Sequence, residues 1–272
     1  MDSWRIWRKL WNPLMIKMRL IRVHAVCVAL SLAAVAVLAE SDAPDVFELR
    51  AERAYHAARV RYLKEPSNLE AAWQFGRACF DRADLAKHDS DKLAFAEEGM
   101  RACRQGLVDD PKSAWAHYYL GLDIGESASA KGLGALRLLH EMNEELTAAA
   151  RLDETIDYAG PDRSLGMLYR DAPGVPLSIG SRTKAIEHLT KSVRLSPSYP
   201  ENSICLAEAY LKWNEYAQAR RVAKTIPDLM VQGRKQFSGA AWESSWIDWN
   251  QRWVVIQARF NESSHFQTPH SR

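Results

Sequence analysis

Four octets of one design recur along this chain: AWQFGRAC (residues 72–79), HYYLGLDI (117–124), DRSLGMLY (162–169) and SICLAEAY (203–210). Each sets a large apolar residue beside Gly or Ala and places another apolar or sulfur side chain three positions on. A second segment follows each octet: GMRACRQGLVDDP (99–111), MNEELTAAARLDE (142–154), AIEHLTKSVRLSP (185–197) and ARRVAKTI (219–226). Upstream, AYHAARVRYLKEP (54–66) fits the same frame. Such a repeat restricts the chain to stacked units sharing one continuous core, because no unit can bury its apolar face alone. No period-two alternation competes with the helical spacing. Gly76, Gly121, Gly166 and Ala207 would let each first helix approach its partner closely, against small residues such as Gly99, Gly106, Ala149, Ala185, Ser192 and Ala219. Pro66, Pro111 and Pro197 end second helices, since proline cannot continue the hydrogen-bond ladder and biases its predecessor out of the α region. Extra residues fall around Asp81–Asp91, Gly125–Gly134 and Asp171–Ser181.

This pattern resembles the tetratricopeptide repeat (TPR). It implies an all-α fold, a TPR-like α-solenoid of antiparallel helix pairs over residues 40–232 with a C-terminal capping helix. Beyond Asp228 the chain changes character. Trp242, Trp246, Trp249, Trp253, Ile256 and Phe260 are spaced four, three, four, three and four, which aligns all six on one helical stripe. Residues 233–260 therefore read as a capping helix covering the last repeat, as an open solenoid requires. A homo-oligomer or membrane-interface contact through the tryptophans is the alternative. Residues 261–272 read as a disordered tail.

Charge is uneven. Residues 1–39 hold six bases (Arg5, Arg8, Lys9, Lys17, Arg19, Arg22) and one acid, Asp2; the remainder has 30 Lys+Arg against 33 Asp+Glu. A mildly acidic body argues against nucleic acid as a partner, because phosphate-backbone binding rests on clustered base. The basic opening precedes seventeen residues without a Lys, Arg, Asp or Glu, Val23–Ala39, ending in a V-x-A exit (Val37, Ala39). Residues 1–39 read as a signal peptide cleaved after Ala39, and the body as periplasmic or secreted. An uncleaved N-terminal anchor is the alternative.

Patterns for catalysis fail on inspection. His140-Glu141 begins like a zinc-protease helix, but Glu144 stands where a second His is needed. GESAS (125–129) lacks the final Gly of a nucleophile elbow, and AKGLG (130–134) lacks the G-K-[ST] of a phosphate loop. The expectation is a protein that is not an enzyme, with no metal and no cofactor. The repeat register instead nominates a groove lined by Trp73, Arg77, Trp115, Tyr118, Arg163 and Arg170, aromatic faces for apolar stems and guanidinium forks for carboxylates. A protein or peptide is the expected partner there. Cys79 and Cys103 occupy facing seam positions of the first unit, where either a disulfide or two buried thiols would fit. A bridge would contribute about 3 kcal/mol in the chain-entropy model.

The segments G-P-x-R-x-L-G-x-L-Y (160–169), A-P-G-x-P-x-x-I-G (172–180) and A-x-x-x-L-x-x-x-V-x-L-x-P (185–197) also resemble exported bacterial TPR proteins, among them the T components of TPR-associated TRAP transporters. That resemblance implies a periplasm-facing scaffold associated with a substrate-binding protein, and, as an alternative function, a transporter accessory handling an apolar or amphiphilic small molecule. The sequence departs from those components in lacking a lipid-attachment cysteine at the end of the apolar run, since Cys27 sits near its start.

Overall fold

The computed structural model describes residues 45–265; the leader, Cys27 and the end of the tail lie outside the described residues. An initial helix, α1 (Val46–Lys64), precedes four helix pairs: α2 (Leu69–Leu85) with α3 (Asp89–Asp109), α4 (Ala114–Lys131) with α5 (Leu136–Leu152), α6 (Ile156–Asp171) with α7 (Arg182–Leu195), and α8 (Pro200–Lys212) with α9 (Tyr216–Ala223). Then come α10 (Ile226–Gln236), a 3-10 turn (Ala240–Trp242) and α11 (Glu243–His265). Partners within a pair pack on each other, and α2, α4, α6 and α8 lie side by side, forming one face of the array. Among the described residues there is no β-strand, and no helix is long and apolar enough to cross a membrane. The chain is a TPR-like helical repeat protein.

Local chemistry sets the boundaries of the pairs. After Pro66 closes α1 and Pro111 closes α3, Asn68 and Ser113 open the next first helices, their side chains accepting from the Ala71 and Ala116 N–H groups at 3.0 and 3.2 Å. Ser181 opens α7 in the same way, and Pro200 stands in the first turn of α8, where its missing N–H costs nothing. Small seam residues earn their place by contact. A Cβ on Gly76 would overlap Cys103 Sγ, and one on Gly121 or Gly166 would press into Leu146 or Leu189.

The C-terminal region departs from the single capping helix expected over 233–260. Helix α10 ends at Gln236, Gly239 takes φ +85°, a conformation open chiefly to glycine, and Trp242 falls in the 3-10 turn. Helix α11 then runs past Phe260 to His265, into what the sequence marked as tail. Trp246, Trp249 and Ile256 are buried, and Trp242, Trp253 and Phe260 pack partly buried beside them, against Tyr199, Ile204, Leu211, Ala219 and Ala223 of the last pair. The stripe is thus turned inward onto the fourth unit. It is not displayed for a second copy or a bilayer; the large apolar side chains that α11 leaves exposed are Ile247, Val254 and Val255.

Asp123 breaks the apolar rule of the octets, holding the place that Ala78, Leu168 and Ala209 fill in the others. It is fully buried, neither carboxyl oxygen has a hydrogen-bond partner, and a Cβ on Gly99 would collide with it. Burial pushes its pKa well above the carboxylate range, and the neighbouring Glu126 and then Asp81 add to the rise. The thiols Cys79 and Cys103 also face it. Glu126, one turn on, pairs with the equally buried Lys92. Because the native state keeps the Asp123 proton that the unfolded chain releases near pH 4, stability is lost as pH rises through and above that value. The slope is at most about 1.4 kcal/mol per pH unit. Asp123→Asn removes that loss. Urea unfolding between pH 4.5 and 8 should show the variant gaining on the parent as pH rises; parallel profiles would refute the assignment.

Candidate functional site

Three stacked rings, two of them half-exposed, mark the centre of the first-helix face. Trp73 comes from α2; Trp115 and Tyr119 lie one turn apart on α4. Trp73 stands 5.2 Å from Trp115 and 6.0 Å from Tyr119, and Trp115 is 6.0 Å from Tyr119, with interplanar angles of 18°, 4° and 14°. These three separations describe a triangle of near-parallel rings. Both tryptophans are half-buried, whereas Tyr119 is buried beneath them. Arg77, one turn along α2 from Trp73, is half-buried beside the patch. Burial opposes its charge, but Tyr119, Asp81 and Asp157 outweigh that and raise its pKa. The result is an apolar, flat surface with a fixed positive charge at its border, suited to an aromatic or aliphatic side chain with a carboxylate nearby.

The other expected groove residues are spent inside the molecule. Tyr118 is fully buried, donating to Asp157 Oδ2 at 2.7 Å. Arg163 is fully buried as well. Its role follows from an unusual start to α6: Asp157, Tyr158 and Ala159 have φ of 48°, 56° and 63°, and the right-handed helix begins only with Gly160 and Pro161. Left-handed residues other than glycine cost about 1–2 kcal/mol each, so the turn needs outside support. Arg163 donates to the Asp157 and Tyr158 carbonyls, both at 3.2 Å, and to Asp157 Oδ2 at 2.8 Å. Asn202 Nδ2 donates to the same Tyr158 carbonyl at 3.0 Å, and Tyr158 stacks on Tyr199 at 4.6 Å.

From Arg163 a line of alternating charges runs across three helices. Arg163 lies 3.8 Å from Glu201, and Glu201 is 3.5 Å from Arg252 of α11. Arg252 donates through Nε and a terminal nitrogen to the two oxygens of Glu208, at 2.8 and 2.7 Å, and also meets Asp248. Glu208 meets Arg170 at 3.3 Å, Arg170 pairs with Asp171 at 2.7 Å, and Lys212 closes the line on Asp171 at 2.8 Å. Burial alone would lift the carboxyls of Glu208 and Asp171, yet Arg252 and Arg170 respectively hold both below their ordinary values. Arg170 is only 9% exposed. Arg163 and Arg170 therefore brace the scaffold and do not line an open groove as the repeat register suggested: the carboxylates that a ligand would offer are already supplied by α8, α11 and the end of α6. Repeat spacing cannot register this, because Glu201, Glu208 and Arg252 lie far along the chain.

Cys79 and Cys103 are free, fully buried thiols, so the bridge left open by their facing positions is not formed. Cys103 Sγ instead fills the space beside Gly76. Burial raises the pKa of both, and that of Cys205 to about 11. Among the described residues no group of His, Cys, Asp and Glu is arranged to hold a metal ion.

The fold is a helical-repeat array of TPR type. The protein family described as regulator of microtubule dynamics protein 1-3 matches residues 38–158, less than half of the chain. Two crystal structures of MamA are similar, each 19% identical and covering 71% of this chain; they are themselves covered to 98% and 89%, with TM-scores of 0.47 and 0.45. None of the curated proteins matches the chain in sequence.

Two outcomes follow. Arg163→Ala, which takes one of two arginines from the buried Glu201 carboxylate and releases the left-handed turn, should lower unfolding free energy by about 3–5 kcal/mol; a loss below about 1 kcal/mol would place its role elsewhere. Alkylation of the native protein, mapped by peptide mass spectrometry, should spare Cys79, Cys103 and Cys205, and label all three after denaturation. A linked Cys79–Cys103 peptide would contradict this.

Proposed function

We propose that the protein is a non-catalytic scaffold that binds an extended protein or peptide segment on the first-helix face of its first two units. The single observation that carries this reading is the Trp73–Trp115–Tyr119 triangle with Arg77 beside it. Large aromatic side chains kept at a surface are the usual anchors of protein interfaces, and a fixed guanidinium adds a directional contact for carboxylate. An acidic peptide with an aromatic or aliphatic residue within a few positions fits that chemistry. The leader-like run Val23–Ala39 supports a site of action outside the cytoplasm. The reading as a transporter accessory draws its support from the segments at 160–169 and 172–180, and in this chain Arg163 of the first segment braces the α6 turn.

The test is selection of peptides from a random displayed library on the full chain, followed by affinity measurement with variants. Trp115→Ala and Arg77→Glu should each weaken the selected peptides about tenfold or more, the size expected for an interface anchor, with unchanged circular dichroism. Selected peptides that bind both variants like the parent would exclude this surface.

A further inference from the structure

A cavity of about 490 Å³ opens where the first and last parts of the described array meet, between α1, the end of α10 and the start of α11. Arg50 of α1 ties this junction, donating to the Ala240 carbonyl and to Glu243 at 3.2 Å. The apolar wall is Phe47, Phe237, Trp246 and Ile247, and the polar members include Arg234 and Asn250. Trp246 is fixed in place, its indole N–H donating to the Phe237 carbonyl at 2.6 Å. The Arg234 guanidinium lies over the Trp246 ring, 4.0 Å from its centroid. Glu243, the acid of the wall, is turned to Arg50, and no ion pair engages Arg234 among the described residues.

A guanidinium seated over an indole is an exposed cation whose N–H groups remain available to a carboxylate. Here the guanidinium borders an aromatic recess whose volume falls within the range of small-molecule sites, roughly 300–1,000 Å³. We propose that this cavity is a binding site for a small amphiphilic carboxylate, its head on Arg234 and its apolar body against Phe47 and Ile247, over a floor closed by the buried Phe237. This site is separate from the aromatic triangle of α2 and α4, and it does not rest on the peptide-binding reading.

Isothermal titration calorimetry of the full chain with octanoate tests it, with 1-octanol and acetate as probes lacking the head or the body. Octanoate should bind more tightly than either. Arg234→Ala should weaken it about tenfold or more, as loss of a charge-assisted pair does. Ile247→Trp, which fills the recess while leaving Arg234 in place, should abolish binding. Circular dichroism establishes that both variants are folded, and the exposed Val108→Ser on α3 should bind like the parent. Absence of octanoate binding overturns the proposal. So does equal affinity for octanol, or folded Arg234→Ala and Ile247→Trp proteins that both bind octanoate as the parent does.

Discussion

A guanidinium keeps its charge at any pH a protein meets, so one placed in the interior must bring carboxylates with it. This protein buries Arg163 and Arg252 almost completely and Arg170 nearly so, and the arrangement of its second half follows from supplying their partners. Glu201 and Glu208 project from α8 one on each side of Arg252, so α11 can dock on α8 in one register only. The indoles of α11 contribute the apolar area and Arg252 contributes the alignment. Apolar contact alone tolerates sliding by a turn; a charge line with each member matched does not.

The same line divides the first-helix face into two halves of different character. In the third and fourth units the buried charged groups are answered by one another, and a ligand would have to displace internal partners to reach them. In the first and second units the face ends in tryptophan rings backed by Tyr119, with Arg77 at the border. On the proposed reading, peptide recognition falls to the first half of this face, and the buried charge line braces the second.

Much of this architecture is legible in the sequence because the repeats are local. The octets mark α2, α4, α6 and α8, the P-x-N and P-x-S turns mark where one pair ends and the next begins, and Gly76, Gly121 and Gly166 report the close seams. Trp73, Trp115 and Arg77 follow from the same register. What escapes is set by contacts distant in the chain. Arg163 and Arg170 read as groove residues because charged side chains are ordinarily exposed, and nothing nearby announces Glu201, Glu208 or Arg252. The left-handed turn at Asp157–Ala159 is hidden for the same reason, being held by Arg163, Asn202 and Tyr118 from three different helices. Asp123 is the instructive exception: aligning the octets exposes an acid at an apolar position without any structure, and that mismatch marks a buried ionisable group.

The contact of Arg50 with Ala240 and Glu243 changes the mechanics of the array. An open superhelix of stacked pairs behaves as a spring, its pitch stretching when a guest or a tension asks for it. Arg50 brings the two ends of the described array into contact and turns the spring toward a ring. Breathing motions that would part the two ends stretch this contact, and an exposed pair of this kind resists by about 1 kcal/mol at most, so the ring opens readily there.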